Sequence, residues 1–111
     1  YVKIFDTEDK FGSDTDLLIT DMEKASALAD CLVDSDVALM RGHGATIYGR
    51  TLPEAVYRAI YAELNAQILL NSAAMGTFKA LSVGECKATV ERISPQIGRA
   101  WDLWVREVER D

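Results

Sequence analysis

The sequence predicts an α/β fold, and three observations predict it. Short strand-like runs occur at Tyr1–Phe5, Val37–Arg41 and Ala45–Tyr48, the first alternating large and polar residues and the second continuously apolar. Between and after them lie segments with apolar residues at helical spacing, the longest running from Leu52 to Met75 without a glycine. Helix-start signatures precede those segments: Thr20-Asp-Met-Glu23, Thr51-Leu-Pro-Glu54 and Ser82 with Glu85. In such a pattern a hydroxyl and a carboxylate satisfy the free amides of a first helical turn.

In chain order, Tyr1–Phe5 is expected to be a strand and the polar stretch Asp6–Asp16, with Gly12, a loop. The apolar run Leu17-Leu-Ile19 leads to the cap at Thr20. Behind that cap Met22, Ala25, Leu28, Ala29, Leu32 and Val33 recur at helical spacing, so the helix should end near Val33 before Asp34-Ser35-Asp36. Val37–Arg41 reads as a buried strand. Gly42-His43-Gly44 interrupts it, and Ala45–Tyr48 resumes strand chemistry. Pro53 is tolerated in the first turn of the long helix, because amides there have no intrahelical partner. Val56, Ile60, Leu64 and Ile68 form one stripe of that helix, and Gly76 is placed to cap its end. Ser82 opens another helix, and Ser94-Pro95 restarts the chain into a last one. Its apolar face is Ile97, Trp101, Trp104, Val105 and Val108.

Three or four short strands and four helices make a poor stand-alone sheet, because an outer strand exposes unpaired backbone groups. The first residue is Tyr1, already inside a strand-like run. Both features lead to the expectation that the domain is incomplete in this chain.

Composition narrows the function. The 111 residues are 49% hydrophobic and 27% charged, with a net charge of −6, the profile of one globular unit. No basic run is present, which argues against nucleic acid or an anionic membrane as partner. No stretch approaches the roughly 20 apolar residues of a membrane span, and no signal-peptide pattern opens the chain. A cytoplasmic location is expected. Cys31 and Cys86 lie in separate helical patterns and read as free, buried thiols of a reducing compartment; the alternative is a disulfide between them, which nothing in the spacing asks for.

His43 is the one histidine. Flanked by two glycines after a buried strand, it sits where the backbone turns sharply and the imidazole projects from the sheet end. That location suits a metal ligand or a general base. It equally suits a solvent-exposed turn residue whose glycines serve only the bend.

The segment Leu39-Met-Arg-Gly-His-Gly-Ala-Thr-Ile-Tyr-Gly-Arg-Thr-Leu-Pro-Glu-Ala-Val-Tyr-Arg-Ala59 resembles class II aldolase/adducin proteins, in which a GHG or NHG turn precedes a long helix. Asp16–Ile19, the Ala-Leu-Ala of the first helix, Glu63 and Asn65-Ala66 fit the same family. The resemblance implies a layered domain with a mainly antiparallel sheet flanked by helices, of which this chain is the C-terminal half. It implies a lyase that binds a divalent ion, zinc or else manganese, through three histidines. His43 corresponds to the third; the others form a His-x-His pair upstream of the matched region. It also implies a homotetramer with sites between subunits. The implied chemistry is Lewis-acid stabilisation of an enediolate left by carbon–carbon cleavage, common to aldol cleavage and decarboxylation.

Met40-Arg-Gly-His43-Gly, Arg58–Ala66 and Trp101-Asp-Leu-Trp104 are most similar to decarboxylases of aromatic-pathway acids such as hydroxy-carboxymuconate semialdehyde or dihydroxyphthalate. The expected substrate is therefore a small hydroxy or oxo acid, with sugar-phosphate aldolases as the alternative. A third reading, from another class, is an adducin-like interaction module without catalysis. Arg41 is a candidate to pair with a substrate carboxylate through its planar fork, or else forms an ion pair with a nearby Asp or Glu. Glu63 is a candidate acid–base residue, or a helix-surface carboxylate paired with Arg58 or a neighbouring subunit. Tyr48, Tyr57 and Tyr61 reach a site or pack together. Trp101 and Trp104 pack against the domain or a neighbouring subunit, or form a lid.

Overall fold

The computed structural model describes residues 2–110. Among them are three strands, five α-helices and one short 3-10 turn, and the chain divides after Gly49 into two compact units.

The first unit holds β1 (Lys3–Phe5), α1 (Thr7–Phe11), α2 (Met22–Cys31), β2 (Val37–Met40) and β3 (Gly44–Ile47). The sheet order is β1-β2-β3. β1 runs parallel to β2 with Phe5 opposite Met40, and β2 runs antiparallel to β3 with Met40 opposite Gly44. The sheet is thus mixed, where the sequence reading had it mainly antiparallel. The reason is the connection: α1 and α2 lie between β1 and β2, and such a crossover brings the next strand back parallel. Tyr1, expected in the first strand, lies outside the described residues.

Phe5, Ala38 and Met40 are buried, and Phe5 and Met40 form the core with Ala27 of α2, flanked by Phe11, Ile19, Leu28 and Cys31. Ile4 and Leu39 point to the other face and are exposed. β2 therefore alternates instead of being buried throughout as its apolar run suggested.

The local structure differs from expectation at α1 and at both ends of α2. The expected loop Asp6–Asp16 contains α1. Asp6 caps it by accepting from the Glu8 amide at 2.9 Å, Glu8 and Asp9 occupy the first turn, and Gly12 ends it at φ +84°. The acidic start and the basic Lys10 complement the helix dipole even over one turn. The cap of α2 is Asp21, not Thr20: its carboxylate accepts from Lys24 N–H at 2.8 Å. Asp is at least as good a cap as Thr, and its charge faces the positive helix end. That hydrogen bond from the Lys24 amide is the main reason the Asp21 carboxyl titrates below its usual range. The helix ends at Cys31 with Leu32 as its cap, short of the expected Val33.

The second unit is helical: α3 (Leu52–Met75), α4 (Val83–Ile93), the 3-10 turn Ser94–Gln96 and α5 (Ile97–Val108). α3 has the expected bounds, begins with Thr51 accepting from Glu54 N–H, and ends at Gly76, φ +129°. Its capping differs in one respect, because the Glu54 carboxylate returns to the Arg50 amide at 2.8 Å, one residue before the cap. Ser82 and Glu85 form a complete capping box at α4. Glu85 is held below its ordinary pKa chiefly by the hydrogen bond from the Ser82 amide. α5 packs on the first half of α3, where Tyr57 stacks on Tyr61 at 4.3 Å and meets Trp104 at 6.1 Å. Burial raises the Tyr57 pKa, with the Tyr61 hydroxyl contributing. In the second half of α3, Leu64, Ile68, Leu69, Leu70 and Met75 are exposed.

Candidate functional site

β2 and β3 are joined by the three residues Arg41, Gly42 and His43. The His43 amide donates to the Met40 carbonyl at 3.1 Å and closes a four-residue turn. Gly42 takes its third position at φ +70°, a conformation that favours glycine there. Gly44 follows at φ +151° and opens β3. The sequence thus delivers what its two glycines suggested: a tight reversal with His43 exposed at the strand ends.

Arg41 is held on one side of this turn. Its amide donates to the Phe5 carbonyl at 3.0 Å, extending the β1–β2 ladder by one rung. Its guanidinium donates through Nε to Asp6 and through Nη2 to Glu8, the latter at 2.8 Å. The Arg41 hydrogen bond holds the Asp6 carboxyl below its usual range, and Asp6 in turn raises the Arg41 pKa. The ion-pair alternative for Arg41 is therefore present in the structure, with two carboxylates on one guanidinium. Both belong to the start of α1, 35 and 33 residues away in sequence, and no local signal announces such a pairing.

Leu17 approaches the turn at Gly42. A Cβ built on Gly42 would stand 3.0 Å from Leu17 Cδ1. Gly42 is thus favoured twice, by its left-handed backbone and by the tight approach of this side chain. Periodicity reveals the first requirement and not the second.

The structure brings Arg41 and His43 together on one turn. Glu63 belongs to the second unit, exposed on α3, and the carboxylate paired with Arg58 there is Glu54, at 2.8 Å. Tyr57 and Tyr61 stack on each other. Cys31 is half-buried and Cys86 exposed, both as free thiols, so the expectation of burial fails for Cys86, which sits on a helix without buried residues.

A catalytic zinc needs about three protein ligands. His43 is a donor of the right type, exposed and unencumbered by bulky neighbours. Among the described residues, however, no group of three His, Cys, Asp or Glu is placed to hold an ion. The described residues fit one corner of a metal site and do not form the site.

With that geometry in place, comparison with known proteins identifies the class. Residues 4–70 match the family described as Class II Aldolase and Adducin N-terminal domain, and the chain belongs to it. The chain is also 37% identical to decarboxylase tropJ of Talaromyces stipitatus over 126 aligned positions, covering 96% of this chain and 46% of that protein. It therefore spans about half the length of this curated relative. The family match includes β1–β3, the His43 turn and most of α3.

Proposed function

We propose that this chain is the C-terminal part of a class II aldolase-like domain in a metal-dependent lyase acting on a small hydroxy or oxo acid. Decarboxylation is the reaction favoured over aldol cleavage, since the similar protein named above is a decarboxylase. His43 is assigned as one ligand of a divalent ion, zinc ahead of manganese. The remaining ligands come from outside the residues described here. The observation that carries this reading is the exposed His43 on a glycine-flanked turn, in a chain of this family. Arg41, adjacent to it, supplies a planar cation suited to a substrate carboxylate. It already holds two carboxylates, Asp6 and Glu8, of the group type it would exchange for a substrate. Glu63 is assigned a minor acid–base role on the same reading, with the sites at subunit boundaries of a homotetramer. No helix among the described residues is long and apolar enough to cross a membrane.

The test is elemental analysis of the purified protein with intact mass, beside His43→Ala. The expected result is about one zinc or manganese per subunit in the wild type, lost in the folded variant. Metal content unchanged in His43→Ala, or a metal-free wild type with full decarboxylase activity, would sink the assignment.

A further inference from the structure

We infer that Leu17 is a positioning residue for the His43 turn, a wedge under Gly42 that fixes where the imidazole stands. The inference rests on the proposed role of His43 for its functional meaning, but its geometry stands independently.

Leu17 is the one non-glycine residue with a left-handed backbone among the described residues, at φ +64°. An L-residue there is strained, and such strain persists only where the surroundings hold it. Here they do. The Leu17 amide donates to Thr15 Oγ1 and the Leu18 amide to Asp16 Oδ1, each at 3.1 Å. Asp16 also faces Lys24 of α2 at 3.9 Å, and α2 carries the core residue Ala27. These bonds curl the segment so that Leu17 turns inward, half-buried, while Leu18 is 48% exposed.

What Leu17 meets is the apex of the turn. Gly42 has no side chain, and a Cβ there would stand so close to the leucine methyl, at 3.0 Å, that the methyl would have to give way by a few tenths of an ångström. The turn thus has two separate supports, α1 through Arg41 and the Leu17 methyl at Gly42. Arg41 fixes the entry to the turn; Leu17 supports the residue immediately before His43. Replacing the methyl by open space leaves the apex free to rock about Met40 and Gly44, and His43 moves with it.

The test uses the full-length protein with Leu17→Gly, Leu17→Ala and Leu17→Met. Leu17→Gly accepts the left-handed backbone without strain, so it keeps the segment's path while removing the wedge. Leu17→Met restores a side chain of similar reach. Site-resolved hydrogen exchange is measured at the His43 amide, with the amides of β1 and α2 as internal references. Zinc affinity is measured by chelator competition. The expected outcome is at least about tenfold faster exchange at His43 in Leu17→Gly and Leu17→Ala, with reference amides unchanged and zinc binding about tenfold weaker. Leu17→Met returns both towards wild type.

Wild-type exchange at His43 in Leu17→Gly would overturn the inference, and so would equal acceleration at the reference amides, which would mark a merely structural role. Should Leu17→Ala fail to fold, Leu17→Gly decides alone. If Leu17→Gly also unfolds, Leu17 serves the fold as a whole and the inference is overturned. Should His43→Ala bind zinc like the wild type, the metal assignment fails while the exchange result still decides the role of Leu17.

Discussion

Asp6 uses one carboxylate for two tasks, capping α1 through the Glu8 amide and receiving Nε of Arg41. Asn caps as well as Asp, so Asp6→Asn isolates the charge. Asp6 titrates below its usual value of 3.8 because Arg41 hydrogen-bonds its ionised form. A carboxyl lowered in the folded state stabilises above its unfolded pKa, and that contribution disappears as pH falls through the lowered value. The melting temperature of Asp6→Asn should therefore lie below wild type at neutral pH, with the gap closing as pH falls below about 4. A gap that stays constant from pH 7 to pH 2 would show that Arg41 does not stabilise ionised Asp6. At this scale His43 was legible in the sequence, because two glycines around a lone histidine announce a turn and its occupant. The partners of Arg41 and the wedge of Leu17 were not. Both act between residues far apart in the chain, and neither spacing nor propensity encodes such a meeting.

Among the elements, the helix starts show how much a cap decides. Ser82 and Glu85 exchange hydrogen bonds reciprocally, at 3.2 and 2.7 Å. Ser82→Ala is expected to cost about 1 kcal/mol, read as a lower unfolding midpoint in denaturant with an unchanged slope. No loss of stability would mean that α4 does not depend on its cap. The bounds of α3 are legible in the sequence because cap, proline, glycine-free run and terminal glycine all agree. α1 is hidden from periodicity because one turn is too short to show any, although Asp6 and Gly12 mark its ends. The mixed sheet was missed because strand direction depends on the crossover through α1 and α2, and strand composition carries no direction. Thr20 lost the cap of α2 to its neighbour Asp21, an error of one residue between two good caps.

For the whole molecule, family membership was legible from the long segment around the His43 turn, and residues 4–70 match that family. The proposed metal site was legible only at His43, because such a site needs about three donors and no group of three is placed to hold an ion among the described residues. The same limit governs the apolar surfaces: the uncovered half of α3 and the outer sheet face at Ile4 and Leu39 follow from sequence patterns that mark a face without naming its cover.

Gly76 carries a last consequence. Its backbone, at φ +129°, stops α3, and residues 77–82 continue to the cap of α4 without helix or strand, exposed throughout. A protease binds its substrate extended, and exposed loops are its preferred targets. The first cut by trypsin is expected after Lys79, in the middle of this seam, leaving α3 on one fragment and α4 with α5 on the other. Protection of Lys79, with cleavage elsewhere first, would show that the seam is covered in the intact protein.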